Sequence, residues 1–163
     1  MTVTEEDRIE RLVCEYGRML VRLAASRLDS VADAEDAVQD VFCALVSKKL
    51  VFVDPEHEKA WLIRATINRA SDLRRRKSRL NAPLDEARAM PDDAAESERR
   101  GRELLACVRA LPEKYAVVLH LHYYEGYGLR EIGDMLQVSA ATVGTRLARG
   151  RARLKALLEE ESL

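Results

Sequence analysis

Apolar residues recur at helical spacing through the first half of the chain and predict three amphipathic helices. The first runs from about Thr4 to Leu28, and its apolar stripe comprises Ile9, Leu12, Tyr16, Met19, Leu20 and Leu23. Asp29 or Ser30 can cap the second helix, whose core side carries Ala34, Val38, Val41, Phe42 and Leu45. After a loop at 48–53, Asp54-Pro55 begins a third helix that extends to about Lys77. Its core stripe comprises Leu62, Ile63, Thr66, Ile67, Ala70 and Leu73.

The second half of the chain shows the same helical period with shorter helices. The pattern resumes with Leu104, Leu105, Val108 and Leu111. A further helix begins at Pro112 and ends at Glu125-Gly126, with Tyr115, Val118, Leu119 and either Leu121 or His122 towards the core. Leu129, Ile132 and Leu136 give the next helix one apolar stripe, and Ser139 can cap the last helix. That last helix buries Val143, Leu147 and Leu154.

The segment between the two halves has no sustained apolar period. It contains Pro83, Pro91 and the pair Asp92-Asp93, which are typical of a linker. We therefore predict an all-α fold of two small helical domains joined by a flexible acidic linker. The expected boundaries are 1–80 for the first domain, 81–99 for the linker and 100–163 for the second domain.

The charges of the chain are segregated, although the net charge is only −1 over 163 residues. Residues 64–79 contain seven basic side chains and one acid, whereas residues 29–40 contain five acids and no base. With 47% hydrophobic and 34% charged residues, the chain can build packed cores beneath wide solvated faces. Opposite charge blocks of this kind favour separate surfaces for separate partners.

The acidic block lies on the polar side of the second helix. Asp33, Asp36 and Asp40 follow one another at i, i+3 and i+7, with Glu35 and Gln39 beside them. The helix dipole favours an acid in the first turn, which accounts for Asp33, but Asp40 lies two turns further in. Since an acidic ridge repels phosphate, we expect this surface to bind a protein.

The third helix combines amide, carboxylate and cationic side chains. Asn68 and Asp72 lie one turn apart, ahead of the run Arg74-Arg75-Arg76-Lys77. Such side chains can hydrogen-bond to bases and phosphates. Trp61 and Arg64 share this polar stripe, and a partly buried Trp61 is the favoured expectation.

Residues 129–155 have the pattern of a helix-turn-helix. No acid occurs from Thr142 to Lys155, and the polar side carries Arg146, Arg149, Arg151, Arg153 and Lys155. A tight turn, a cap and a one-sided cationic second helix together favour entry of that helix into the DNA major groove. An ordinary helical hairpin with a solvated basic face is the alternative.

Other classes of chemistry find little support in the sequence. His120 and His122 cannot share a helix face, and the chain contains no Cys-x-x-Cys and no glycine-rich phosphate loop, so we expect no metal, no cofactor and no enzyme activity. The three cysteines, Cys14, Cys43 and Cys107, are expected to be reduced core residues of a cytoplasmic protein. No signal-like or membrane-spanning apolar run occurs in the sequence.

Three stretches carry a resemblance to a known family. The segment Asp33-Ala-Glu-Asp-Ala-Val-Gln-Asp-Val-Phe42 resembles the core-binding helix of the small bacterial sigma factors of the extracytoplasmic-function (ECF) group. Residues 60–76, from Ala60-Trp-Leu-Ile-Arg to Leu-Arg-Arg-Arg76, are similar to their −10 recognition helix. Leu111-Pro-Glu-Lys-Tyr, Tyr123-Tyr-Glu-Gly and Thr142-Val-Gly-Thr-Arg-Leu-Ala-Arg are similar to parts of their −35 domain. The match follows the family's order and spacing over about 10–158.

The resemblance implies a promoter-specific initiation factor with several partners. It implies docking of core RNA polymerase, with the acidic helix on the β′ clamp helices and the C-terminal domain on the β flap. The implied core-binding residues are Asp33, Glu35, Asp36, Gln39 and Asp40. The implied −10 contacts are Trp61, Arg64, Asn68, Arg69, Asp72, Arg75 and Arg76, with the loop 48–54 beside them. The implied −35 contacts are Arg130, Ser139, Ala140, Ala141, Thr142, Gly144, Thr145, Arg146 and Arg149. An anti-sigma factor, which many such factors have, is a further candidate partner.

The sequence departs from the family pattern in the −35 domain. Gly144 and Ala148 stand where larger or basic residues are common, Gly150 replaces the usual alanine and Gln137 the common turn glycine. Because a helical glycine costs about 1 kcal/mol relative to alanine, we expect the two glycines to weaken the rigidity of the last helix. A helix-turn-helix regulator that does not dock on polymerase is the alternative function, and the acidic ridge argues against it.

Overall fold

The computed structural model describes residues 3–80 and 96–161, and every regular element in these ranges is helical. The helices are α1 (Glu5–Ala25), α2 (Val31–Ser47), α3 (Pro55–Arg79), α4 (Glu96–Ala110), α5 (Glu113–Leu119), α6 (Leu129–Leu136) and α7 (Ala140–Glu161). A π-helical turn, His120–Tyr124, continues directly from α5. Most of the predicted linker, 81–95, lies outside the described residues, and 96–99 form the first turn of α4.

The helix starts are fixed by the side chains that the sequence suggested as caps. Ser30 accepts a hydrogen bond from the Asp33 backbone N–H, so Ser30, and not Asp29, caps α2. Asp54 accepts from the backbone N–H of His57 at 2.9 Å, and Pro55 occupies the first position of α3. These caps satisfy amides that have no partner within the helix, which sets where each helix begins.

The first three helices form one packed unit, in which α1 contacts both α2 and α3. The apolar stripes predicted for these helices face one another, and all five core positions predicted for α2 are buried. Trp61 is half-buried, with its ring centroid 5.9 Å from that of Phe52, so its predicted partial burial is confirmed. The packing leaves the polar side of α2 and the cationic end of α3 in solvent.

The second unit is organised around α7, which contacts α4, α5 and α6. Leu121, Ile132 and Val143 are completely buried there, which decides the choice between Leu121 and His122 in favour of the leucine. Two positions of the predicted apolar pattern are exposed, Leu104 at 44% and Leu129 at 37%. Leu129 is the first residue of α6 and lies beside α7 near Gly144. The side chain that α6 buries in the core of this unit is instead Met135.

The cysteine prediction is wrong for two of the three residues. Cys107 is buried, but Cys14 and Cys43 are exposed on α1 and α2. Both lie on the outer sides of helices whose cores are filled by larger aliphatic and aromatic side chains. Within the described ranges, no helix is long and apolar enough to cross a membrane.

Candidate nucleic-acid interface

The turn between α6 and α7 is closed by an unusual backbone conformation and a close approach. Gln137 ends α6 in the left-handed region with φ +60°, and the backbone N–H of Val138 donates to Gly133 O at 2.9 Å. A Cβ at Gly133 would lie 2.7 Å from the carbonyl oxygen of Val138, too close for any other residue. Gln137 thus adopts the left-handed conformation at the position where the sequence suggested a glycine, and Gly133 leaves the space for the close approach.

The start of α7 is built around Ser139 and Thr142. The backbone N–H of Thr142 donates to Ser139 Oγ at 3.1 Å, and the two hydroxyl oxygens lie 2.9 Å apart. The predicted cap is confirmed. Since these hydroxyls already bond one another, their contribution is to orient the first turn, whose positive dipole end is a favourable place for phosphate.

The exposed side of α7 carries mostly small side chains. Ala141, Thr145, Ala148 and Arg149 are exposed, while Val143 and Leu147 are buried on the opposite side. Thr145 Oγ1 donates to Ala141 O at 3.1 Å, which leaves its oxygen lone pairs available as acceptors. Arg149 makes no ion pair with any residue in the described ranges, so its guanidinium is available for an external anion or base edge.

The cations of α7 fall into two groups. Arg151 bonds the hydroxyl of Tyr123 and lies 6.0 Å from that ring's centroid, and Arg153 lies 5.0 Å from the ring centroid of Tyr115. Both therefore rest on tyrosine rings, although they lie on different sides of α7, because residues two apart do not share a helix face. Arg146 and Arg149, by contrast, line a shallow depression together with Lys114.

Lys114 was not among the residues that the sequence suggested as DNA contacts. It is exposed at the start of α5, its Nζ lies 5.1 Å from the ring centroid of Tyr115, and it lines the same depression as Thr142, Thr145, Arg146 and Arg149. Nothing in the local pattern of α5 shows that this lysine adjoins α7. The contact depends on how α5 packs against α7.

α7 is continuous from Ala140 to Glu161 through both glycines, and the expectation that they reduce its rigidity stays a prediction. Gly150 is buried against α5, where an added Cβ would lie 3.2 Å from both Tyr115 and Leu119. The absence of a side chain at Gly150 therefore lets α7 approach α5 closely. An added Cβ at Gly144 would meet only Leu129, at 3.4 Å.

The residues predicted to contact the −10 element lie along α3 in different environments. Asn68 is exposed, Asp72 is ion-paired with Arg75, and Arg76 is exposed without an ion partner in the described ranges. Arg64 donates to the carbonyl oxygen of Met135 in α6 at 2.8 Å. The side chain of Arg64 is thus already engaged by the second unit of the chain.

The acidic ridge of α2 is partly neutralised by α3. Arg69 donates to Asp40 at 2.8 Å, and Lys77 forms an ion pair with Asp33. Glu35, Asp36 and Gln39 are exposed, and neither carboxylate has an ion partner in the described ranges. The available part of the ridge therefore consists of these three residues, while Asp33 and Asp40 are bonded to α3.

The arrangement is that of a two-unit helical DNA-binding protein, and no cluster of residues that could hold a metal ion occurs in the described ranges. The family described as Sigma-70 region 2 matches residues 12–80, and the family described as Sigma-70, region 4 matches residues 101–154. The chain is 33% identical over 150 residues to the ECF RNA polymerase sigma factor SigM of Mycobacterium tuberculosis, covering 91% of this chain and 76% of that protein.

Two solved structures share the fold. The structure of CnrH in complex with the cytosolic domain of CnrY has a TM-score of 0.71 and 24% identity, covering 96% of this chain and 90% of that chain. The sigma factor RpoE, in complex with the anti-sigma factor NepR from Bartonella quintana, has a TM-score of 0.66 and 18% identity, covering 93% and 97%. The chain belongs to the ECF group of the sigma-70 family of RNA polymerase sigma factors. Its function is transcription initiation by RNA polymerase at promoters.

Proposed function

We propose that three surfaces of this chain have separate binding roles in transcription initiation. The exposed ridge of α2 binds core polymerase through the clamp helices of the β′ subunit. The polar stripe of α3 and the loop 48–54 bind the −10 element, and α7 reads the −35 element while its domain binds the β flap. We also propose a cytoplasmic location and an anti-sigma factor as a regulatory partner.

The observation that carries this proposal is the availability of Glu35, Asp36 and Gln39. These side chains are exposed on one side of a well-packed helix, and the two carboxylates have no ion partner in the described ranges. Acids placed there do not stabilise the chain itself through ion pairs. Opposite charge on a partner would instead steer and orient its docking.

The physical properties of the other two surfaces support their assigned roles. An exposed amide at Asn68 beside a cationic helix end suits an unstacked strand, which needs hydrogen-bonding groups and a positive rim. Arg149 and Thr145 offer the hydrogen-bonding groups on α7, and Ala141 offers apolar contact to a thymine methyl group. Arg146, Thr142 and Lys114 suit backbone phosphates, which set register rather than sequence.

The substitution Asp36→Lys tests the docking surface. We expect binding to core polymerase to weaken by more than about tenfold, or about 1.4 kcal/mol, because a repulsive charge replaces an attractive one. Titration of labelled factor with core enzyme measures this. Asp40 is a poorer choice, since Asp40→Lys would place a lysine against Arg69 and disturb the packing of α2 on α3.

The matched control is Glu10→Lys, which makes the same charge reversal at an exposed acid of α1 with no ion partner in the described ranges. Glu10→Lys should leave core binding within about twofold of the unmodified chain. Equal affinity of Asp36→Lys and Glu10→Lys for core enzyme would refute the assignment of α2 as the docking surface.

A further inference from the structure

The loop between α2 and α3, residues 48–54, is bonded to an arginine near the start of α1. Arg8 donates from Nη2 to the carbonyl oxygen of Leu50 at 3.0 Å. The same guanidinium donates to Glu58 Oε2, at 3.2 Å from Nη2 and at 3.4 Å from Nε. Its Nη1 lies 3.4 Å from Glu5 Oε1. One side chain thus connects the start of α1, the loop and the first turn of α3.

Glu58 fixes the position of Arg8. The Glu58 side chain is 8% exposed, and that of Arg8 is 19% exposed. A carboxylate excluded from water to this degree requires a cationic partner, and the planar guanidinium holds its acceptors in fixed directions. The bond from Arg8 to Leu50 therefore ties the loop backbone to a side chain that is itself held in place.

The loop backbone has few other restraints. Lys49 reverses the chain in the left-handed region, with φ +49°, and the backbone N–H of Leu50 donates to Leu45 O at 3.5 Å. Residues 51–53 make no backbone-to-backbone hydrogen bond within the described part of the chain. The position of this stretch consequently depends on side-chain contacts.

The side chains of the loop alternate between inward and outward positions. The ring centroid of Phe52 lies 6.0 Å from Arg8 Cζ and 5.9 Å from the ring centroid of Trp61. Val51 and Val53, on either side of Phe52, are 89% and 91% exposed. These β-branched side chains are stiff and offer apolar surface to a partner. Arg8 contacts both the backbone and the ring that direct the two valines outward.

Neutralisation of Glu58 does not account for the contact between Arg8 and the loop. Arg11 also pairs with Glu58, at 3.6 Å, and makes no hydrogen bond to the loop in the described ranges. An arginine of α1 can therefore serve Glu58 without bonding Leu50. Arg8 also precedes residues 12–80, which match Sigma-70 region 2, so the restraint on the loop comes from outside that region.

We propose that Arg8 is a positioning residue for promoter recognition. Held by Glu58, it fixes the loop 48–54 so that Val51 and Val53 meet an unstacked base of the −10 strand without prior ordering of the loop. Apolar side chains commonly contact the faces of bases that have left the stack. A binding loop that is already ordered avoids the entropy cost of ordering on binding, which favours the base that fits. The inference rests on the proposed role of this loop at the −10 element.

The substitution Arg8→Met tests the restraint in the free, full-length chain. Methionine retains an unbranched apolar stem and removes every donor. Trp61 is the single tryptophan of the chain, so its fluorescence reports on its neighbour Phe52. Release of the loop should expose Trp61 and shift its emission to longer wavelength. Arg11→Met is the matched control, since it removes another partner of Glu58 from α1 and should leave the emission unchanged.

The role in recognition is measured with reconstituted holoenzyme on barcoded templates. One library randomises the −10 element and a second randomises the −35 element. Arg8→Met should reduce the preference at the most selective −10 position about three- to tenfold, a fraction of what a direct base contact contributes. The ranking of −35 sequences should stay the same, and Arg11→Met should preserve both rankings.

A second variant separates positioning from stability. Arg8→Met leaves the buried Glu58 with the more distant Arg11, which destabilises the fold. Combining Arg8→Met with Glu58→Gln removes the buried charge as well, so urea denaturation should show that stability is regained. The −10 preference should remain reduced, because the bond to Leu50 is still missing. Recovery of the −10 preference together with stability would make Arg8 purely structural.

A combined variant, Val51→Ala with Val53→Ala, distinguishes this inference from the proposed function. If Arg8 acts through the valines, adding Arg8→Met to this variant should cause no further loss of −10 preference. An undiminished further loss, or an unchanged −10 ranking in Arg8→Met alone, would overturn the positioning role. If the valine variant itself keeps the unmodified −10 ranking, the proposed role of the loop fails, and the positioning role fails with it.

Discussion

At the scale of single residues, the structure distinguishes cations that are available from cations that are already engaged. Arg151 and Arg153 pack on tyrosine rings, Arg64 bonds a backbone carbonyl, and Arg69 pairs with Asp40. A basic residue used in this way contributes to packing as well as charge. Arg149 is the side chain of α7 that combines exposure, a planar set of donors and a position beside Thr145.

The substitution Arg149→Ala should therefore reduce discrimination among −35 sequences. Loss of a bidentate contact to guanine costs about 1–3 kcal/mol at the base concerned and little at other sequences. Reconstituted holoenzyme can be tested against a library of −35 variants. Arg153→Ala, which removes a cation stacked on Tyr115, is the control and should preserve the ranking. Uniform weakening by Arg149→Ala with an unchanged ranking would make it a phosphate contact instead.

His120 adds a pH dependence at this scale. Burial lowers the pKa of His120 from 6.5, against the opposing effect of Glu125 and with the support of Arg22. The unfolded chain therefore binds a proton at a higher pH than the folded chain does. Stability from this group is complete above the unfolded value of 6.5 and is lost as the pH falls from there towards the lower folded pKa.

We expect the free energy of unfolding to decrease between pH 7.5 and 5.5 with a slope from this group no steeper than about 1.4 kcal/mol per pH unit. Urea denaturation at several pH values measures the slope. The variant His120→Gln should have a flatter profile in this range. An identical slope in the variant would assign the dependence to other groups.

At the scale of elements, the close approaches of helices depend on particular glycines. Gly133 allows the backbone of the turn at Val138 to pass next to α6, and Gly150 allows α7 to approach α5. Helical propensity alone predicts that both glycines weaken their helices. Tertiary contact outweighs propensity here, because any added atom would meet backbone or packed side chains.

The substitution Gly133→Ala should destabilise the chain by about 1–3 kcal/mol, since the new Cβ would overlap the Val138 carbonyl oxygen. The control is Gly101→Ala in α4, where an added Cβ meets nothing within 4 Å. That change should stabilise the chain by about 0.5–1 kcal/mol. Thermal and urea denaturation compare the two variants. Stabilisation by Gly133→Ala would show that the turn relaxes easily.

At the scale of the whole molecule, the two units lie against one another through both apolar and polar contacts. α3 packs on α6, and the buried residues of both units belong to one hydrophobic cluster. Of the α3 side chains proposed to contact promoter DNA, Arg64 is bonded to α6, whereas Asn68 and Arg76 are exposed. The exposed part of the α2 ridge is not covered by the second unit, which leaves the proposed polymerase surface accessible.

The sequence by itself determined the helices and the direction in which most of them face. Apolar period and caps such as Ser30 and Asp54 are local, and they act through amides and side chains within one or two turns. The resemblance in three segments, in the right order, also identified the family before any contact was known. Leu129, whose burial was predicted wrongly, lies at the end of a helix, where the apolar period is the weakest guide to the side on which a residue lies.

Only the tertiary structure decided which polar side chains remain available. Arg22 and Glu125 are 103 positions apart, and neither is marked in the sequence as a partner of the other. The engagement of Arg64 by Met135, the role of Lys114 beside α7 and the space required at Gly150 likewise depend on distant elements. Local patterns carry no information about such contacts, because their energies arise when helices that are far apart in sequence exclude water from the same place.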